Sequence, residues 1–321
     1  MVLRASSARE GWIFSGERTR VVALAGGTGS AKLLRGLQAH VRFSVVSNVG
    51  DNVWMHGLYV CPDIDTAVYA MSGLIDRERG WGIAEDSFHG LAQLERLGAE
   101  TWFKLGDRDL AMHVLRTHLL QGGRTLTEVT RVVCKRLGVK DPVLPCTDAD
   151  AETRLVTDRG EMHFQEFWVK RRGRPRVVSI DYRPFSRARI TEAVVKALAS
   201  ADRIVICPAN PATSILPILS VGGMRRALRS SKARKVAISP MIGSGPVSGP
   251  AGKLMAATGH EPTSLGVAKL YRGLIDVMVI DEHDAKQEKA IEKTGATCVT
   301  APTLMKSGED EARLAGLALE A

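Results

Sequence analysis

The stretch VVALAGGTGSAK at residues 21–32 constrains the fold more than any other part of the chain. Val21–Ala25 is wholly apolar and too short for an independent helix, the pattern of a strand buried on both faces of a parallel sheet. Glycines 26, 27 and 29 end it. Residues 30–40 then place Leu33, Leu34 and Leu37 on one side of a helix, and residues 41–46 are again apolar. Strand, glycine turn, helix and strand in that order predict a βαβ unit.

The same alternation returns late in the chain. Strands are expected at 203–207, 235–239, 277–280 and 298–301, separated by helical patterns at 186–200, 214–229, 248–258, 263–272 and 284–294. This predicts an α/β fold with a doubly wound, mostly parallel, Rossmann-like sheet. Residues 85–138 are helical in pattern, and 143–181 combine short strands with the helix-like HFQEFWVKRR. The expected division is an N-terminal extension over 1–19, a core from 20–84 and 182–321, and an inserted cap over 85–181. No internal repeat is present.

Charge narrows the partners. The formal net charge of +9 suits anionic ligands. Basic residues gather at 171–176 and 225–235 without interleaved aromatics, which argues against a nucleic-acid interface. Five widely spaced cysteines, odd in number and without a CxxC, fit a reducing cytoplasm rather than a disulfide framework. No uninterrupted apolar run reaches the roughly 18 residues of a membrane span.

Two stretches carry candidate chemistry. In AGGTGSAK, Gly27, Thr28 and Gly29 let the backbone approach an anion at a helix N-terminus, and Lys32 adds a cation. A tight turn without ligand is the competing reading, because neither a complete dinucleotide fingerprint nor a GxxxxGK[ST] loop is present. SNVGDNVWMHGLYVCPDIDT, residues 47–66, follows the second strand and so lies at the carboxyl edge of the sheet, where open α/β sheets bind ligands. Asp51, Asp63 and Asp65 offer the hard oxygens magnesium prefers. Turn formation at 48–52 and capping of a helix from Thr66 are the alternatives, and capping suits Asp65 best. His56 reads as a packed, hydrogen-bonded histidine. Trp81 and Phe88 could stack on a flat ring that Asp86 and His89 hydrogen-bond, or belong to the core. The loops at Asn210–Ser214 and Gly243–Gly245 follow later strands at the same edge, where they could hold a nucleotide or merely turn the chain. There is no nucleophile elbow and no HExxH.

In order along the chain, AGGTGSAKLLRGL, the long stretch at 47–76, GWGIAEDSF, LGDRDLAMHVLRTHLL, HFQEFWVK, PANPATSILPIL and SPMIGSGPVSGPAGKLM resemble the 2-phospho-L-lactate transferase family of coenzyme F-420 biosynthesis. The resemblance runs from about residue 21 to about 310 and leaves the first nineteen residues outside. It implies a homodimeric α/β enzyme that moves a phospholactyl or phosphoenolpyruvyl group from a guanosine-diphosphate-linked donor to the ribityl hydroxyl of the deazaflavin Fo. GMP leaves, and magnesium is required. It further implies that Asp51 and Asp63 hold magnesium or orient the attacking hydroxyl, with Asp51 also on the Fo side. The glycine turn with Lys32 would meet phosphate. Trp81, Asp86, Phe88 and His89 would border Fo, and Asn210, Thr213 and Ser214 with the Gly243–Gly245 loop would hold guanosine. A distantly similar group of non-catalytic, nucleotide-sugar-binding regulators also pairs a glycine loop with an acidic turn. The GWGIAEDSF motif argues against membership in that group.

Overall fold

The computed structural model describes residues 19–243, 245–247 and 249–321. The N-terminal extension expected over 1–19 therefore lies almost wholly outside the described residues. Seven parallel strands form the central sheet: β1 (Val21–Ala25), β2 (Phe43–Ser47), β3 (Val143–Pro145), β4 (Arg203–Ile206), β5 (Arg234–Ile238), β6 (Val277–Ile280) and β7 (Thr297–Thr300). Their spatial order is β7-β6-β5-β4-β1-β2-β3. Every residue of β1 is buried, as its apolar sequence demands. All seven strands run parallel, so the expected sheet is present and more uniform than foreseen.

One strand sits where the sequence pattern did not put it. Val143–Pro145, within the stretch expected to be a cap, pairs with β2 and closes one edge of the main sheet. Three residues are too few to carry a periodicity. Residues 154–157, 160–163 and 177–181 form a separate three-stranded antiparallel sheet, with a π-helical turn at Glu166–Lys170 between the last two strands.

The strand order locates the site. From β1 the chain moves outward through β2 to β3, then returns to the other side of β1 with β4. The loops after β1 and β4 therefore diverge to opposite sides of the sheet, leaving a crevice at their carboxyl ends. Helix α1 (Gly27–Gln38) starts directly in the glycine turn, earlier than the expected residue 30. A Cβ on Gly29 would lie 2.2 Å from the carbonyl oxygen of Pro208, so the two loops meet closely only because residue 29 lacks a side chain. Helix α2 (Pro62–Ser72) packs against α1 and brings the acidic stretch over the same crevice. The preceding strands Val53–Met55 and Leu58–Val60 form a hairpin turning at His56 (φ 51°) and Gly57 (φ 78°). His56 is thus an exposed turn residue rather than a packed one. All five cysteines are free and buried.

Candidate active site

The glycine turn and the acidic stretch form one hydrogen-bonded unit. Gly27 N–H donates to Asp63 Oδ1 at 2.8 Å. The other carboxylate oxygen accepts from Asn48 Nδ2 at 2.8 Å, and the same amide donates to Asp51 Oδ1 at 3.1 Å and to the Thr213 carbonyl at 3.1 Å. Gln165 Nε2 completes the set, donating to Asp51 Oδ2 at 2.9 Å. Gly26 must be glycine here: a Cβ would meet Asp63 Oδ2 at 2.6 Å and Ser214 Cβ at 2.7 Å. The unit depends on β1 and β2 being neighbours, because only then do the loops after Ala25 and Ser47 face each other.

Asp51 and Asp63 are buried, and burial drives both carboxyls upward. Asp51 rises well above the usual carboxylate range, with repulsion from Asp63 adding to burial and the Asn48 and Gln165 amides opposing it. Asp63 is pushed up to about 6 against the hydrogen bonds from Asn48 and Gly27. Neutral amides and a backbone N–H are the donors; no lysine or arginine enters either environment among the described residues. Two buried carboxylates without a cationic partner suit a hard divalent cation, which would remove the repulsion that raises them.

Two cavities adjoin this unit. The first, about 460 Å³, is lined by Gly27, Thr28, Gly29, Lys32, Asp51 and Asp63, together with Asn210, Thr213 and Ser214. Arg77 and Arg79 add positive charge to its wall. Lys32 Nζ donates to the Met305 carbonyl at 2.9 Å, which anchors its stem beside the cavity. Asn210 accepts from Ala212 N–H and so starts the second π-helical turn, Pro211–Ile215. Thr213 Oγ1 is buried without a hydrogen-bond partner among the described residues. The second cavity, about 270 Å³, is lined by Tyr69, Trp81, Phe103 and Trp168 among others. Gly27, Thr28, Asp63, Gln165 and Trp168 line both.

The structure thus brings together most of the residues picked out from sequence and separates others. Asp86, Phe88 and His89 line neither cavity. Asp86 accepts from the N–H groups of Arg108 and Asp109, capping helix α3 (Asp107–Gln121). The Phe88 ring packs 5.5 Å from the Arg79 guanidinium, which also lies 5.7 Å from Trp81. His89 opens a short helix with its N–H bonded to Asp107. Gly243 and Gly245 also lie off the lining, although Val247 and Gly249 of the same loop belong to it. Sequence reasoning missed Asn48, Gln165 and Trp168. An asparagine beside the aspartates was visible, but no spacing rule connects residue 165 to residue 51.

Asp65 does not cap α2, which begins at Pro62. Its carboxylate pairs with the fully buried Arg116 through both oxygens. Asp65, Asp109 and His113 offer ligand atoms within 4.8 Å of one another, close enough for a metal. However, Arg116 already supplies the cation. Arg116 Nη1 can only donate, so His113 Nδ1, 3.1 Å away, accepts and the ring hydrogen sits on Nε2, which lies 3.2 Å from Asp109 Oδ1 but is buried without a hydrogen-bond partner among the described residues. No ring lone pair remains for a metal, and the cluster reads as a structural wall of the second cavity.

Known proteins match this chain over nearly its whole length. The family model described as 2-phospho-L-lactate transferase CofD matches residues 21–309. A protein named 2-phospho-L-lactate transferase from Methanosarcina acetivorans is 43% identical over 298 residues, covering 92% of this chain and 96% of its own. One named phosphoenolpyruvate transferase from Streptomyces griseus is 39% identical over 310 residues, covering 94% and 98%. The crystal structure of a UPF0052-family protein from Bacillus halodurans shares the fold with a TM-score of 0.67 at 17% identity, covering 95% of this chain and all of that one. The chain is a transferase and belongs to the 2-phospho-L-lactate transferase CofD family.

Proposed function

We propose that the protein transfers a 2-phospholactyl or phosphoenolpyruvyl group from a guanosine-diphosphate-linked donor to the ribityl hydroxyl of the deazaflavin Fo. The observation that carries this reading is the pair of cavities meeting at Asp63, Gln165 and the glycine turn. The first cavity, with Lys32, Arg77 and Arg79 on its wall, suits a diphosphate; the second, walled by aromatic rings, suits a flat heterocycle.

Phosphoryl-type transfer needs alignment and charge neutralisation more than covalent help. In this reading the Fo hydroxyl enters from the second cavity and attacks the phosphorus carrying the acyl group. The bond from that phosphorus to the GMP phosphate oxygen breaks, and GMP leaves with the electron pair. The hydroxyl proton passes to a carboxylate of the Asp51–Asp63 pair, both of which line the cavity that would take the donor phosphates. Asp51 and Asp63 would hold magnesium, which when bound neutralises charge on the phosphate oxygens. The α1 N-terminus and Lys32 bind the same charge without the metal.

The reading includes a cytoplasmic homodimer. No described helix is long and apolar enough to cross a membrane. Incubation with Fo, Mg²⁺ and each guanylylated donor in competition should yield GMP and one F-420-0-type product by mass spectrometry, identifying the acyl group. No turnover with any donor would refute the reading. A tightly bound nucleotide-sugar without reaction would instead favour a regulator.

A further inference from the structure

The motif HFQEFWVK reaches the acidic pair from a distant part of the chain. Gln165 is buried and borders both cavities. Its Nε2 donates to Asp51 Oδ2 at 2.9 Å. Its own backbone N–H donates to His163 Nδ1 at 3.0 Å, and His163 Nε2 lies 3.1 Å from the Asn52 carbonyl. Because a carbonyl only accepts, Nε2 carries the hydrogen and Nδ1 is free to accept. The chain of contacts Asn52–His163–Gln165–Asp51 therefore begins and ends on one loop, Asn48–Asn52, and passes through the antiparallel sheet. Gln165 immediately precedes the π-helical turn Glu166–Lys170, which carries Trp168 along the boundary between the cavities.

We propose that Gln165 is a positioning residue: it fixes the rotation of the Asp51 carboxylate so that Asp51 and Asp63 present oxygens to one divalent cation between the cavities. This rests on the metal reading of the pair given above. Asn48 holds one oxygen of each aspartate, which leaves Asp51 free to turn about that single contact. Gln165 removes the freedom. A neutral amide is the chemistry required: a lysine or arginine here would itself neutralise Asp51 and displace the cation. Outer-sphere hydrogen bonds of this kind orient ligating carboxylates, and their loss weakens metal binding by roughly 10- to 100-fold.

The test is direct Mn²⁺ binding to the full-length protein, measured by electron paramagnetic resonance without substrates. Gln165→Met keeps the side-chain volume and removes the donor; Gln165→Asn keeps an amide and withdraws it by one methylene. Both should raise the Mn²⁺ dissociation constant about 10-fold or more with unchanged circular dichroism. Should the methionine variant misfold, the asparagine variant decides. Wild-type Mn²⁺ affinity in the folded variant would overturn the proposal while leaving the metal reading standing. No Mn²⁺ binding by the wild type would refute the metal reading, and the proposal with it.

Discussion

Asp63→Asn should stabilise the metal-free protein at alkaline pH while sharply lowering its activity. In the folded state Asp63 rises from 3.8 to about 6. The folded chain therefore holds a proton that the unfolded chain has already released between those values. Stability is greatest while the carboxyl is protonated and falls as pH rises through about 6. Above that window the ionised Asp63 costs about 3 kcal/mol, taken at 1.36 kcal/mol for each tenfold change in proton affinity. Asparagine escapes this cost. It can still accept from Gly27 N–H, but it turns an amide toward Asn48 where an oxygen accepted at 2.8 Å. Losing that bond returns about 1–2 kcal/mol. The net gain is about 1–2 kcal/mol at pH 8 and turns into a net loss of about 1–2 kcal/mol near pH 4, where the carboxyl is protonated and only the lost bond counts. For a domain of this size the gain at pH 8 raises Tm by roughly 2–3 °C. Scanning calorimetry in EDTA at pH 4 and pH 8 measures it. With donor, Fo and Mg²⁺, kcat should fall ~10²-fold or more, the scale for removing one charge-stabilising group. A variant no more stable than wild type at pH 8 in EDTA would refute the claim that burial strains this carboxylate.

Two further substitutions test the frame around the site. Gly29→Ala should drive its Cβ into the Pro208 carbonyl, 2.2 Å away, and force β1 and β4 loops apart; we expect loss of soluble protein or at least ~2 kcal/mol by urea denaturation, the scale of overpacking. A wild-type midpoint would show that the loops separate freely. Arg116→Met should cost about 3–5 kcal/mol because it strands the buried Asp65 carboxylate. The double variant Arg116→Met with Asp65→Leu should recover much of that loss, and failure to recover any would show that the pair is not the reason Arg116 is buried.

The residues around the site show how far local pattern reaches. The stretches that carry Lys32, Asp51 and Asp63 were legible because each begins at the end of β1 or β2, and a parallel sheet sends every strand's carboxyl end to one edge. Asp65 was misjudged as a cap because its partner, Arg116, is 51 positions away and no periodicity links them. Asp86 was placed beside the ligand on the company of aromatic neighbours; its contacts with the N–H groups at 108 and 109 belong to a helix 21 residues further on. Val143–Pro145 was missed as a strand of the main sheet because three residues are too few to carry a periodicity of their own.

By itself the sequence determined that Val21–Ala25 must be buried on both faces, that a glycine turn must follow it, and that acidic groups lie just past the next strand. Those are consequences of side-chain hydropathy and backbone freedom acting over a few residues. Only the tertiary structure decided which acids share a site. The crevice between β1 and β4 brings residues 27, 48, 63, 165 and 213 within hydrogen-bond reach, although 186 positions separate the first from the last. A hydrogen bond is specified by distance and direction in space, and the order of residues along the chain fixes neither until the sheet has formed.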